Sequence, residues 1–408
     1  MQKKFIPVII GTDAFGYFWS RSVYEAYGIK SYLVGKIKMA LSSTSTFVED
    51  IEYSEGDLQE TEIFVSLLQA KAKRLRSKYP HTPLILIPTY DHYVRLTIEN
   101  AETLAKDYLF HVPDAKHLDT FMLKEDFFHF AKEHHWPIPK TKITEAGEAL
   151  DVSAISFPLI VKPSDAISYN KTSFPGKEKV YFVHSQEALE AIDHKIREAG
   201  YRGTLILQEY IPGDDHYNYD MHCYTNQAGE MTFITFSQVL LSEPQATAVG
   251  NIAAQIVRYE PQMMEKVKGF FQEIGYHGYA DVDLKKDPRT GEYKIFEVNM
   301  RVGRSGYYID QLGGSIAKTL IDDLLNEAPP VQETKFMKGP FLSTYVPMGI
   351  IQRHVTDPAL REEVMALKKA GKWGNPMLSK VDLPLERRLY LALRAINYYR
   401  KFRHGQAH

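Results

Sequence analysis

Short apolar runs that stop at turn-forming polar residues open the chain: residues 5–10 end at Gly11-Thr12-Asp13, and residues 84–87 at Pro88-Thr89-Tyr90-Asp91. Unbroken runs of this length, separated by helical patterns, predict buried parallel strands. Between them, 20–27 reads as helix and 32–34 as a second strand. Thr61–Lys78 reads as an amphipathic helix whose basic last turn suits the negative end of the helix dipole. The pattern predicts an open α/β sheet domain over 1–118. Such sheets bind ligands beyond the carboxyl ends of their strands, where Asp13 and Asp91 fall. Capping a helix or turn is the other role open to both aspartates.

Near residue 120 the pattern changes. A helix opens over 120–130, and Trp136-Pro137-Ile138-Pro139 is an extended stop. Short strands follow over 157–161, 180–183 and 205–208, with a helix over Gln186–Glu198. A meander comes next. Residues 221–225 turn at Asn226-Gln227-Ala228-Gly229 into 231–236, and 280–284 turn through Asp287-Pro288-Arg289-Thr290-Gly291 into 293–298. Short strands joined by Gly-containing turns predict antiparallel pairing. Pro329-Pro330 opens a last stretch, 331–408. It ends in a helical pattern of Leu389, Leu393 and Ile396 interleaved with Arg387, Arg388, Arg394, Arg400, Lys401 and Arg403. Such a charge run predicts a solvated helix face; attraction to an anionic membrane surface or acidic substrate is the alternative.

Composition narrows the function classes. With 49 Lys+Arg against 51 Asp+Glu in 408 residues, the chain lacks the basic excess of a general nucleic-acid binder. The single Cys223 excludes a disulfide framework and a cysteine zinc cluster, and it lies in an apparent strand as a core residue. His134-His135 and His111…His117 lack zinc-site spacing. No apolar run reaches the ~18 residues of a membrane-spanning helix. The start, MQKKFIPVII, runs straight into GTD and reads as a first strand rather than a signal peptide. These features predict a cytoplasmic, multi-domain, mixed α/β protein.

Chemistry concentrates in three segments. In YADVDLKKDPRTGEYKIFEVNMRVGRSG, Glu297 and Asn299 lie two apart on a strand and so leave the same face, and the hairpin returns that strand beside Asp281-Val282-Asp283. Two carboxylates and an amide oxygen suit Mg²⁺, and Arg301 and Arg304 follow, able to grip phosphate or carboxylate oxygens. Lys162, ending the apolar strand LIVKP, wants an anion if buried. In LILQEYIPGDD, backbone leaving the strand offers a C=O and an N–H to a purine edge, and Asp215 stands near for ribose hydroxyls. No nucleophile constellation accompanies them. Absence of Gly-x₄-Gly-Lys-Ser/Thr excludes a P-loop, and Gly11–Gly16 lacks G-x-G-x-x-G.

In order, spacing and residue type these segments resemble the ATP-grasp superfamily over about 120–325, whose members join a carboxylate to an amine. The resemblance implies an N-terminal open α/β domain, then a two-lobed ATP-grasp fold: a small lobe over 119–210, a large lobe with the metal site over 211–330, and a basic helical extension over 331–408. It implies that Lys124 (in FMLKEDFF) and Lys162 hold the α- and β-phosphates. The segment Gln208-Glu209-Tyr210-Ile211 would meet adenine, through the backbone of Glu209 and Ile211, and Asp215 the ribose. Asp283, Glu297 and Asn299 would ligate two Mg²⁺ ions. Arg301 and Lys162 would be catalytic, Arg301 on the transferred phosphoryl group. Arg304, Ser305 and Gly306, with Asp13 and Asp91, would bind the acid and amine substrates. One departure stands out: the loop Ser164–Gly176, glycine-rich in many members, has a single glycine.

IPVIIGTD, YEAYGIK and FEVNMRVGRSGYYID are similar to bacterial D-aspartate ligases. That branch implies activation of the D-aspartate β-carboxylate for attack by an amine of a peptidoglycan precursor. Ligases for other amino acids or peptides are a second expectation, and a non-catalytic nucleotide-binding regulator a third. A homodimer and peripheral membrane contact through the basic C-terminus remain open, and His216, beside the expected ribose contact, is the histidine to follow.

Overall fold

The structure, a computed structural model, describes residues 4–146, 148–244 and 250–404. Strands β1 (Ile6–Ile10), β2 (Ser31–Gly35), β3 (Val48–Tyr53) and β4 (Leu84–Pro88) form a parallel sheet in the order β3-β2-β1-β4. Every residue of β1 and β2 is buried, which is why both are apolar runs without alternation. Edge strand β3, VEDIEY, carries charges outward, so no apolar run marks it in the sequence. The helix Ala14–Tyr27 starts ahead of the 20–27 stretch because Asp13 caps it, its carboxylate accepting from Phe15 N at 3.1 Å. That helix is buried from Ala14 to Val23, leaving no polar face for periodicity to reveal.

By packing, the chain divides into two compact units. The smaller comprises Lys116–Asn218 and Val282–Val298. In it β5 (Thr141–Thr144), β6 (Leu159–Pro163), β7 (Tyr181–Val183) and β8 (Leu205–Glu209) form an antiparallel sheet in the order β5-β8-β6-β7. The helix Gln186–Glu198, capped by Ser185, lays Leu189 and Ile196 on a core with Leu159, Val161, Leu205 and Leu207. The helix expected over 120–130 is in fact two, Lys116–Met122 and Lys124–Glu133, because Leu123 between them is extended (φ −103°, ψ 130°).

The larger unit holds Met1–Ala115, Tyr219–Asp281 and Asn299–His408. The third sheet consists of β9 (Asn218–Thr225), β10 (Met231–Ile234), β11 (Ser237–Ser242), β12 (Ile252–Val257), β13 (Gly278–Lys286), β14 (Tyr293–Asn299), β15 (Lys335–Phe336), β16 (Leu342–Thr344) and β17 (Trp373–Gly374). Its order is β14-β13-β9-β11-β12-β16-β17, with β10 on β9 and β15 on β10. Strands β13 and β14 run across the boundary between the units. Both expected hairpins form: Gly229 N donates to Asn226 O at 3.0 Å and Gly291 N to Asp287 O at 2.7 Å. One core joins Phe18, Trp19 and Leu33 to Tyr224, Tyr279, Tyr308, Ile316 and Leu320. It therefore unites the N-terminal sheet with much of the stretch over 211–330.

The C-terminal helix Leu385–His404 departs from the solvated basic face the sequence predicts. Arg387 is fully buried, donates to the carbonyls of Leu41 and Met377, and places Nε 3.0 Å from Asp382 Oδ2. Arg394 donates to the hydroxyls of Tyr390 (3.3 Å) and Tyr398 (3.0 Å). Arg388, Arg400 and Arg403 are exposed as expected, but Leu385, Leu389, Leu393 and Ile396 are exposed with them. The Leu41 and Met377 carbonyls and the Asp382 carboxylate, all outside the helix, partner Arg387, and two phenols of the helix itself partner Arg394. Among the described residues no helix is long and apolar enough to cross a membrane.

Candidate functional site

In the smaller unit, the break at Leu123 puts Lys124 at the first position of a helix, where the dipole disfavours a cation without an anionic partner. Glu297 on β14 is that partner: Lys124 Nζ donates to Glu297 Oε1 at 3.0 Å. Lys162, on β6, donates to Gln208 Oε1 at 3.4 Å and stands 5.2 Å over the Phe128 ring. Burial first and the Lys124 charge second bring the Lys162 ammonium down to about 7, against the opposing pull of Glu297. Two lysines and one carboxylate thus gather at this place.

The expected adenine segment leaves β8. Glu209 N donates to Lys140 O and Glu209 Oε1 accepts from Lys140 N, both at 2.9 Å, while Tyr210 N donates to Pro158 O at 3.3 Å. Those bonds fix the strand exit; Ile211 is buried just beyond. Gln208 bridges Lys162 and Thr141, its Nε2 donating to Thr141 Oγ1 at 2.9 Å. Asp215 opens a short 3₁₀ turn with His216, whose Nδ1 lies 3.3 Å from Asp214 Oδ1. Lys285, which the sequence reading passed over, donates to Gly213 O at 2.7 Å, and its ammonium is lowered by burial against the charges of Asp215 and Asp214. Beyond Lys162, the loop of Ser164–Gly176 holds a short helix, Ala166–Asn170. Lys177 Nζ ties its end down through the carbonyls of Tyr169 (2.9 Å) and Thr172 (2.7 Å).

Asp283 is half-buried on β13, and Glu297 and Asn299 are half-buried on β14, its hairpin neighbour. All three offer hard oxygen donors, the type Mg²⁺ takes.

In the larger unit Arg301 donates through Nε (3.0 Å) and Nη2 (2.9 Å) to Asp91 Oδ2. Its Nη2 also donates to Asn299 Oδ1 at 3.3 Å, and Nη1 lies 3.6 Å from Asp281 Oδ2. Asp91 thus holds the guanidinium. Asp13 caps its helix and accepts the Tyr90 hydroxyl, the capping role left open by the sequence. Arg304 donates to Ile252 O at 3.0 Å, lies 3.3 Å from Glu243 Oε1 and stacks 4.9 Å over Tyr345. Ser305 Oγ donates to Asp220 Oδ2 at 2.6 Å.

Beneath this loop Asp281 is joined by two residues that sequence reasoning missed, Asp220 and His222. His222 is fully buried, its Nδ1 3.7 Å from Asp220 Oδ2 and 3.6 Å from Asp281 Oδ1. Burial keeps the imidazole below its ordinary range; Asp220 opposes that, and Arg301 adds to it. The loop sits so close that a Cβ on Gly306 would come 2.5 Å from His222 Cδ2 and from Val302 Cγ1. Only glycine permits that approach. The signal available was Asp220 and His222 two apart in the strand Asn218–Thr225, which puts both on one face. Tyr398 on the C-terminal helix donates to Glu243 at 3.2 Å, so that helix buttresses the Arg304 site.

No family model matches the chain. It is 26% identical over 413 residues to the D-aspartate ligase of Enterococcus faecium, covering 98% of this chain and 97% of that protein. Among solved structures, it resembles the biotin carboxylase domain of a Hydrogenobacter thermophilus 2-oxoglutarate carboxylase with MgADP (TM-score 0.57, 15% identity, 84% of this chain and 74% of that one). An L-amino acid ligase from Bacillus licheniformis is similar too (TM-score 0.54, 15% identity, 80% and 77%). The chain has the fold of the ATP-grasp ligases and resembles one of them, a bacterial D-aspartate ligase, along nearly its whole length.

Proposed function

We propose that the chain is an ADP-forming carboxylate–amine ligase that activates the β-carboxylate of D-aspartate and joins it to an amine of a peptidoglycan precursor in the cytoplasm. The observation that carries the nucleotide part is the pair Lys124 and Lys162: two ammonium groups beside one carboxylate, one of them desolvated, suit a polyanion. Likeness to D-aspartate ligase supports the choice of acid. Lys124 and Lys162 hold the α- and β-phosphates, the backbone of Glu209 and Ile211 meets adenine between Gln208 and Tyr210, and Asp215 meets the ribose. Asp283, Glu297 and Asn299 would hold Mg²⁺, two ions by the family pattern, which when bound offsets phosphate charge.

A carboxylate oxygen attacks the γ-phosphorus, the bond to the β–γ bridging oxygen breaks, and ADP leaves with that electron pair. The amine then attacks the acyl carbon; inorganic phosphate departs and the nitrogen gives up a proton as the amide forms. Arg301 bears on the transferring phosphoryl group, a task of positioning and charge rather than covalent chemistry. Arg304, Ser305 and Gly306 receive the substrate's second carboxylate, and Asp91 aims Arg301.

Trapping with hydroxylamine tests this directly. With ATP, Mg²⁺ and D-aspartate, the protein is expected to form hydroxamate and ADP, and Glu297→Gln to abolish both. Hydroxamate with another acid alone would keep the ligase and discard D-aspartate; nucleotide binding without hydroxamate from any acid would favour the non-catalytic regulator.

The state of Lys162 adds a pH signature. Free protein carries it mainly neutral above pH about 7. Polyphosphate favours the charged form and raises its pKa, so binding takes up a proton. Affinity for ATP is therefore expected to be strongest below that pH and to weaken by up to about tenfold per unit above it, until the bound-state pKa is passed. Calorimetry across the neutral-to-alkaline range reads this slope, and Lys162→Met should flatten it. A pH-independent affinity in the unsubstituted protein would remove Lys162 from the phosphate site.

A further inference from the structure

The helix Leu385–His404 buries one side against the body of the larger unit through Arg387, Leu391, Tyr398 and Phe402. Its opposite side is apolar and bare: Leu385 is 82% exposed, Leu389 62%, Leu393 57% and Ile396 59%. Exposed leucines scattered singly need no explanation, but a continuous stripe does. Leu385, Leu389, Ala392, Ile396 and Tyr399 follow one another at alternating spacings of four and three, the seam of a helix pair rather than of a helix on a broad core.

We propose that this stripe is a pairing surface for a second copy of the chain, the two helices meeting antiparallel across a two-fold axis. The sequence of the seam is close to self-complementary about Ala392. Reversed on itself, it sets Ala392 against the partner's Ala392, Leu389 against the partner's Ile396 and Leu385 against the partner's Tyr399. A two-fold contact requires this property, since the same patch serves both sides. Charge follows the same register. Glu386 and Arg400 flank the seam on one edge, and the antiparallel arrangement brings Glu386 beside the partner's Arg400, twice per dimer. Leu393 lies on that edge between them and meets the partner's Leu393.

The structure also weakens the competing occupant, an anionic membrane surface. Of the basic residues that gave the helix its cationic look, Arg387 and Arg394 are engaged inward and Lys401 Nζ lies 3.9 Å from Glu243. Arg388, Arg400 and Arg403 remain outside, with Glu386 among them, so the bare face is apolar first and cationic second. A helix of 20 residues is about 30 Å long, and one such pair buries less than the ~800 Å² per partner of a standard interface. Val381 (67% exposed) and Leu378 (46%), just ahead of the helix in sequence, are exposed apolar residues too. The dimer is accordingly concentration-dependent.

Sedimentation equilibrium of the full chain over a concentration series tests the proposal. The expected mass rises toward twice the 46.8 kDa of one chain. Leu389→Glu with Ile396→Glu should give a monomer with unchanged circular dichroism. Glu386→Arg should weaken the dimer about tenfold, and adding Arg400→Glu should restore it. Ala392→Cys should cross-link to itself on oxidation, whereas the unsubstituted chain, whose one cysteine is buried, should not. This register stands or falls on the last two variants, which leave the apolar seam intact. A chain monomeric at every concentration would overturn the proposal, as would a dimer indifferent to the seam substitutions or a charge swap without rescue. A monomer that floats with phosphatidylserine vesicles, and loses them on Leu389→Glu, would assign the face to the membrane instead.

Discussion

Replacing Arg301 by alanine is expected to lower the rate of acid-dependent ADP release by at least about a hundredfold, the effect of deleting one preorganised donor from a transition-state charge site. KM for ATP should change far less, because the proposed phosphate contacts, Lys124 and Lys162, remain. The reason lies in how the guanidinium is held. Two of its nitrogens donate to Asp91 Oδ2, a third faces Asp281, and the Phe15 ring lies 5.3 Å away, so the planar group is oriented before substrate arrives. Lysine cannot reproduce the fork that bonds Asp91 twice, so Arg301→Lys should recover little. Steady-state kinetics on both variants, with urea unfolding to confirm that the loss is not one of stability, checks this. A kcat within about fivefold of the unsubstituted protein would take Arg301 out of phosphoryl transfer, since the donor effect is an order of magnitude or more larger.

Asp382→Ala is expected to destabilise the chain by about 3–5 kcal/mol, the usual consequence of leaving one member of a buried ion pair alone. Asp382 and Arg387 are both fully buried, with Nε 3.0 Å from Oδ2. The carboxylate also accepts from Ser45 Oγ (2.8 Å), Thr46 N (2.7 Å) and Thr46 Oγ1 (2.9 Å), joining the C-terminal helix to the turn before β3. Without it, Arg387 keeps its charge, its stacking 4.1 Å over Tyr17 and its carbonyl partners, but no counter-ion. The double replacement Asp382→Leu/Arg387→Met should recover much of the loss, because apolar residues of similar volume carry no desolvation penalty. Urea midpoints of the three proteins measure both effects; a loss below about 1 kcal/mol for Asp382→Ala would mean that water reaches the pair.

Much was legible before any tertiary structure. Strands β1 and β4 are buried on both sides and so appear as bare apolar runs. The helix over Thr61–Lys78 and that over Gln186–Glu198 present one apolar side and carry basic last turns, so local periodicity marks their limits. The two Gly-ended turns announce their hairpins. The residue types proposed for the site, Lys124, Lys162, Glu297, Asn299 and Arg301, are candidates from the sequence alone, because hard-metal and phosphate chemistry admits few residue types.

What the tertiary structure alone decided is which charges face one another. Asp91 and Arg301 are 210 positions apart, and no pattern near either shows that the aspartate holds the guanidinium rather than a substrate. Asp220, His222 and Asp281 become a bed under the 302–306 loop only when β9 and β13 pair. Glu243 meets Arg304, 61 positions on, and Tyr398, 155 positions on, only through the folded chain. That helix is the plainest case, with Arg387 and Arg394 turned inward and Leu385, Leu389 and Leu393 outward. Periodicity reports that two sides differ and assigns the apolar side to the core by default. The assignment fails where a guanidinium finds buried partners: Arg387 reaches the Leu41 carbonyl 346 positions away, while Asp382, Tyr390 and Tyr398 lie within five residues of the arginines they meet.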